Sequence, residues 1–189
     1  MKISSLFDLY VDQLRELFDA EQQLRKALTA ASRAATSQEL KDALEEHIEQ
    51  GEEHASRLKE ILEGIEGGNK AKRCVGMTGL ISELNELLES DIAPQALDAG
   101  IILCAQRIDH YEIAAYGGLC AWARLMGHEE DADILQESLD EEKESDEILT
   151  DIADTTVNHE AHDSEATGEE DEESDEDKKE AEEEEEEEE

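Results

Sequence analysis

The chain has 189 residues, 55 of them Asp or Glu against 16 Lys or Arg, and the resulting net charge of −39 excludes nucleic acid as a direct partner. The acid is unevenly spread: up to Ala153 there are 34 acidic and 14 basic residues, and beyond it 21 and two, with Val157 as the only large aliphatic residue of that last stretch. The expected organisation is one domain over residues 1–153, followed by a disordered acidic tail over residues 154–189 that lacks the apolar surface to fold.

Six aromatic residues and a single proline, Pro94, leave little material for strands and their turns, so an all-α domain is expected. No stretch approaches the roughly 20 apolar residues a transmembrane helix needs, and no secretory core follows Met1. With three cysteines and no CxxC spacing, the expectation is a cytoplasmic protein with free thiols and no membrane partner. A net charge this negative also fits a high-salt interior, where screening relieves self-repulsion.

Between Ser5 and Ala35, the residues Leu6, Leu9, Leu14, Leu17, Leu24 and Leu28 recur at helical spacing and predict a first long helix. Thr36 and Ser37 break and recap the chain, and Glu39 favours the dipole of a second helix reaching about Gly64. After Gly67, Gly68 and Asn69 comes a connection of about 25 residues with an amphipathic stretch from Met77 to Leu88, long enough to cross a bundle. Pro94 suits the first turn of a third long helix that Gly127 ends after Met126, and a fourth runs from Glu129 to Ala153. Two short connections and one long one describe a ferritin-like four-helix bundle of two antiparallel hairpins joined by a long crossover; an up-down bundle with an excursion between the hairpins is the alternative.

The apolar stripe of each long helix fails in its middle. The first reads Leu14, Leu17, Glu21, Leu24, Leu28, and the second Leu44, His47, Gly51, His54, Leu58. The third reads Ile108, Glu112, Ala115, Leu119, with Asp109 one turn before Glu112, and the fourth Leu135, Leu139, Glu142, Asp146, Leu149. At about 1.5 Å per residue from the hairpin turns, Glu21, Gln50, His54, Glu112, Glu142 and Asp146 all fall roughly 22 to 28 Å along the axis. The hairpins then repeat one pattern, Glu21 answering Glu112, Gln50 answering Glu142 and His54 answering Asp146. Rotation of one helix would turn any single group to solvent. Carboxylates and imidazoles gathered on four helices at one depth point instead to a pair of transition-metal ions, which offset like-charge repulsion.

The segments DAEQQL around Glu21, AQRIDHYEIAAYGGLCAWA around Glu112 and DEEKESDEIL around Glu142 resemble the YciE/YciF family of ferritin-like proteins, DUF892, over Ser5 to Ala153. The resemblance implies a ferritin-like bundle with a di-iron or related dimetal centre, a link to stress responses, dimers and a ferroxidase-type role. It carries Glu21, Glu112 and Glu142 over as ligands, then His54 and Asp146, with His47, Gln50 and Asp109 as ligands or supporting partners. Gln50 and Asp109 depart from the glutamates of the family pattern, and the second and fourth long helices lack the ExxH spacing of standard di-iron bundles. Either His54 and Asp146 substitute at a spacing of four, or the site is degraded.

The function expected is a metal-dependent oxidoreductase in which two irons, or two manganese ions in a catalase-like variant, react with oxygen or peroxide. A non-enzymatic, dimeric stress protein with a structural metal layer is the alternative. His110, Tyr111 and Tyr116 lie near the layer, where packed aromatics are commoner than redox tyrosines. Lys70, Lys72 and Arg73 form a basic cluster too small to bind nucleic acid.

Overall fold

A computed structural model describes residues 3–164, and every regular element among them is helical. Helix α1 spans Leu6–Ala34, and its first turn closes where Ser5 Oγ accepts from the Asp8 amide at 3.0 Å. Helix α2, Gln38–Glu63, is capped in the same way by Ser37. Helix α3, Val75–Leu88, occupies the amphipathic part of the crossover, and the Cys74 thiol accepts from Met77 N at its start. Helix α4, Pro94–Met126, begins on proline and ends at Gly127, whose φ of 81° is open to glycine at little cost. Helix α5, Glu129–Ile152, places Glu129, Glu130 and Asp131 in its first turn, against the positive end of the dipole.

Two buried contacts fix the wiring. Asp98, near the start of α4, accepts from the backbone amides of Thr36 and Ser37 at 2.8 Å each, so α4 starts where α2 starts. Tyr10, near the start of α1, donates to Asp131 at the start of α5 at 3.3 Å. Hence α1 runs parallel to α5 and α2 parallel to α4, on the two diagonals, while neighbours around the bundle are antiparallel and packed. An up-down bundle would start α4 at the opposite end, so the crossover wiring is the one adopted.

Helix α3 packs over the seam between α1 and α4. A Cβ on Gly76 would come within 2.9 Å of the Tyr111 ring, which is how closely α3 and α4 approach. The crossover is pinned to α1: Arg15 donates to the carbonyls of Gly67 and Gly68, Lys72 pairs with Asp12 and Glu16, and Asp19 accepts from the Cys74 amide. Leu14, Leu17, Leu24, Leu28, Leu40, Leu44, Leu58, Ile101 and Ile108 fill the interior above and below the middle layer, and truncating any of them to Ala would cost about 2 to 5 kcal/mol. The three cysteines are buried free thiols.

The expected end of the folded part at Ala153 needs correction. After Ile152 the chain makes a π turn, Ala153–Val157, and stays helical to Ser164. The π turn re-aims Val157 into the core, where it is fully buried beside Ile152 and Ala153. A single aliphatic residue five positions after Ile152 forms no α-helical stripe, so the sequence conceals it. The glutamate-rich end of the expected tail lies outside the described residues. Among those described, no helix is long and apolar enough to cross a membrane.

Candidate metal centre

Six side chains from four helices meet in the middle layer: Glu21 from α1, His47 and His54 from α2, Asp109 and Glu112 from α4, and Glu142 from α5. None exceeds 2% exposure, so their charges must be balanced from within. His54 Nδ1 stands 3.0 Å from Glu142 Oε1 and 3.5 Å from Glu21 Oε1. His47 Nε2 is 3.5 Å from the other Glu142 oxygen, and its Nδ1 is 3.6 Å from Asp109 Oδ1. Glu21, His54 and Glu142 form one group whose ligand atoms lie within 4.8 Å of one another, and His47, Asp109 and Glu142 form a second, so Glu142 belongs to both. Glu112 belongs to neither close group, though it is buried with them.

The hydrogen-bonding pattern has a direction. Glu21 Oε1 accepts from Tyr116 at 2.5 Å, His54 Nε2 meets Glu141 at 2.8 Å, and Ser145 Oγ lies 3.3 Å from His47 Nδ1 and 3.4 Å from Asp109 Oδ2. The remaining atoms, Glu21 Oε2, His54 Nδ1, His47 Nε2, Asp109 Oδ1 and both oxygens of Glu112 and Glu142, have no hydrogen-bond partner. Those eight are the only buried side-chain nitrogen or oxygen atoms so placed among the described residues, and all belong to these six side chains. Atoms that reach Tyr116, Glu141 or Ser145 are hydrogen-bonded, while the other eight have at most ion-pair approaches within the layer, whereas buried polar groups are nearly always hydrogen-bonded.

A pair of divalent cations fits this donor set. Four carboxylates and two neutral imidazoles match two doubly positive ions in charge, and they are the inventory of the ferritin-like dimetal bundle, four carboxylates with two histidines. Glu142, which belongs to both ligand groups, and Glu112, with both oxygens unpartnered, are suited to serve two ions. Without a cation the protons must compensate. Burial, reinforced by Glu21, Glu142 and Asp109, pushes the Glu112 carboxyl well above its ordinary range, and burial raises Glu21 too. Burial lifts Asp109 to about 7. For the histidines burial opposes the charge but the facing carboxylates overcome it, raising His47 to about 9 and His54 to about 10. Glu142 is also disfavoured by burial, yet the two imidazoliums beside it draw it down to about 2.

Two residues expected in the layer are not brought into it. Asp146 is partly exposed and turns into the outer groove between α4 and α5, near Gln106 Nε2 at 3.1 Å and His110 Nε2 at 3.5 Å. Gln50 is half-buried and lines a surface cleft beside His47 and Ser145. His47 and Asp109 are full members of the gathering: both histidines sit on α2, and α4 supplies two carboxylates three residues apart. Sequence reasoning missed Glu141, Arg57 and Ser145. Arg57, one turn after His54, was the available signal, because a cation so near a buried imidazole needs an anion between them.

The family described as Domain of unknown function (DUF892) matches residues 5–162. The chain belongs to the DUF892 family. It is 38% identical over 163 residues to Protein YciF of Escherichia coli (strain K12), covering 85% of this chain and 98% of that protein. The crystal structure of the E. coli stress protein YciF superposes with a TM-score of 0.78 at 36% identity, over 82% of this chain and 99% of that one. YcfI of Rhodopseudomonas palustris does so at 0.74 and 35%, over 79% and 95%.

In this DUF892 chain the layer is nearly sealed. The cleft reaching it, between α2 and α5 and lined by His47, Gln50 and Ser145, has a volume of only about 10 Å³, enough for about one water. Three larger clefts, of about 380, 180 and 430 Å³, lie on the outside of the bundle, and no member of the layer lines any of them.

Proposed function

We propose that the layer holds two transition-metal ions, iron first and manganese as the alternative occupant, and that the protein reacts with oxygen or peroxide in a ferroxidase- or peroxidase-type role linked to stress. The single observation carrying this reading is the set of eight buried, unpartnered ligand atoms on six side chains. Glu21, His54 and Glu142 would hold one ion and His47, Asp109 and Glu142 the other, with Glu112 beside them. Iron, when bound, supplies the electrons and the Lewis acidity. The chain's residues do the rest. Tyr116 holds Glu21 Oε1 and leaves Oε2 without a hydrogen bond, the leucine layers on either side exclude bulk water, and the protons carried by His47, His54 and Glu112 leave as cations enter. The narrow cleft at His47 selects for small oxidants over organic substrates. A homodimer without nucleic-acid or membrane partners completes the proposal.

The test is anaerobic loading of the metal-free protein with ferrous ion, followed by oxygen or peroxide. Rapid ferric absorbance, lost in Glu112→Ala plus Glu142→Ala, is expected; oxidation at the rate of protein-free buffer contradicts it. The closeness of the cleft supports a second reading, a non-enzymatic, dimeric stress-related bundle whose metal layer is structural. That reading expects two tightly bound ions, a large gain in melting temperature on loading, and no acceleration of oxidation.

A further inference from the structure

The two histidines of the layer are held from outside by different groups, and those groups dictate which ring nitrogen faces inward. His54 Nε2 lies 2.8 Å from Oε2 of Glu141, a carboxylate that can only accept, so when the ring is neutral Nε2 keeps its proton and the lone pair falls on Nδ1, facing Glu21 and Glu142. Arg57 fixes Glu141 with both arms of its guanidinium, Nη2 to Oε1 at 3.0 Å and Nη1 to Oε2, while Nη1 also reaches Ser138 Oγ at 3.2 Å. This is a bidentate clamp joining α2 to α5 directly behind the imidazole.

On the other histidine the logic runs through one hydroxyl. Ser145 Oγ lies near both His47 Nδ1 and Asp109 Oδ2, and its single proton can serve only one of them. Donated to the carboxylate, it leaves Oγ to accept from His47 Nδ1–H, and the lone pair of His47 falls on Nε2, 3.5 Å from Glu142 Oε2. Opposite nitrogens of the two rings then face opposite oxygens of one carboxylate.

We propose, resting on the two-ion reading above, that Glu141 clamped by Arg57 is the positioning residue for His54 and Ser145 the one for His47, so that the two ions are bound through Nδ1 of one ring and Nε2 of the other. Outer partners of this kind fix the tautomer and raise the basicity of the ligand, and their loss costs 10- to 100-fold in metal affinity. Glu141→Ala removes the acceptor. Glu141→Gln keeps an oxygen for Nε2–H but no charge for Arg57, and being isosteric it preserves the fold if the alanine variant does not. Glu137 also approaches Arg57, at 3.8 Å from a 68% exposed side chain, but makes no contact with His54, so Glu137→Gln is the control.

The full-length, metal-free proteins are titrated with zinc(II) in a calorimeter, and histidine-labelled samples give the ¹⁵N spectrum of the loaded state. Wild type and Glu137→Gln are expected to bind two zinc ions, one histidine metallated at Nδ1 and one at Nε2. Glu141→Ala weakens one ion by 10- to 100-fold and Glu141→Gln by less, with the His54 signals displaced and the second ion unaffected. Two ions bound with wild-type affinity by both variants, or both rings metallated at the same nitrogen, overturns the positioning role and leaves the metal centre standing. Failure of the wild type to bind zinc overturns both.

Discussion

The two hairpins of the bundle invite comparison because their sequences look like repeats, and the interior shows that they are not. Counted from their turns, Glu21 and Glu112 sit at equal depth, and both are buried in the layer. Beyond that pair the likeness fails. The first hairpin contributes Glu21, His47 and His54, one carboxylate with two imidazoles, whereas the second contributes Asp109, Glu112 and Glu142, three carboxylates and no imidazole. The asymmetry puts the proton-binding bases on α2 and most of the negative charge opposite. It leaves a layer that is balanced by two divalent cations or, without them, by protons.

The largest effect that would break this comparison is expected from Glu142→Ala, which removes the one carboxylate shared by both ligand groups. Metal analysis should show both ions lost, with affinity falling by more than the roughly 100-fold ascribed to supporting residues. Retention of one ion at wild-type affinity would mean that the hairpins bind independently.

Next in size is the pH dependence of the metal-free protein. His47 and His54 titrate at about 9 and 10 when folded, against an ordinary 6.5, so the stability they add is complete below pH 6.5 and disappears as pH rises through 9 and 10. Asp109, raised from 3.8 to about 7, acts in the same direction over a lower window. Glu142, lowered to about 2, contributes only above the usual carboxylate range, and that contribution is lost near pH 2. The melting temperature of the metal-free protein should therefore fall between pH 6.5 and 10, while metal affinity rises over the same interval as protons cease to compete. A flat or rising curve for the metal-free protein would contradict the buried imidazoliums.

A smaller change is expected from Tyr116→Phe. It deletes the 2.5 Å hydrogen bond to Glu21 Oε1 and leaves the six ligands in place, so about tenfold weaker binding of one ion is expected by calorimetry. Smallest of all are Gln50→Ala and Asp146→Asn, which a strict repeat of the two hairpins would make damaging. Both residues lie off the layer, so metal affinity should stay within about twofold.

Those two residues show what the sequence could and could not specify. Depth along a helix follows from a rise of about 1.5 Å per residue, and depth was enough to select Glu21, His54, Glu112 and Glu142. Rotation about the axis is set by how neighbouring helices pack. His47 and His54, seven residues apart, differ by only about 20° and stay on one face. Asp146 is turned about 40° past Glu142, which carries it into the groove with Gln106 and His110, while Ser145 is rotated the other way and points in. The bundle itself was legible from leucine spacing, caps and the lone proline. Its continuation past Ala153 was not, because a π turn changes the spacing at which Val157 returns to the core.

The central claim is that cations occupy the layer between the two hairpins. Anomalous diffraction at the iron and manganese edges, from crystals of protein incubated with both metals, tests it most directly. Two peaks are expected, one among Glu21, His54 and Glu142 and the other among His47, Asp109 and Glu142. A layer without anomalous density would contradict the account.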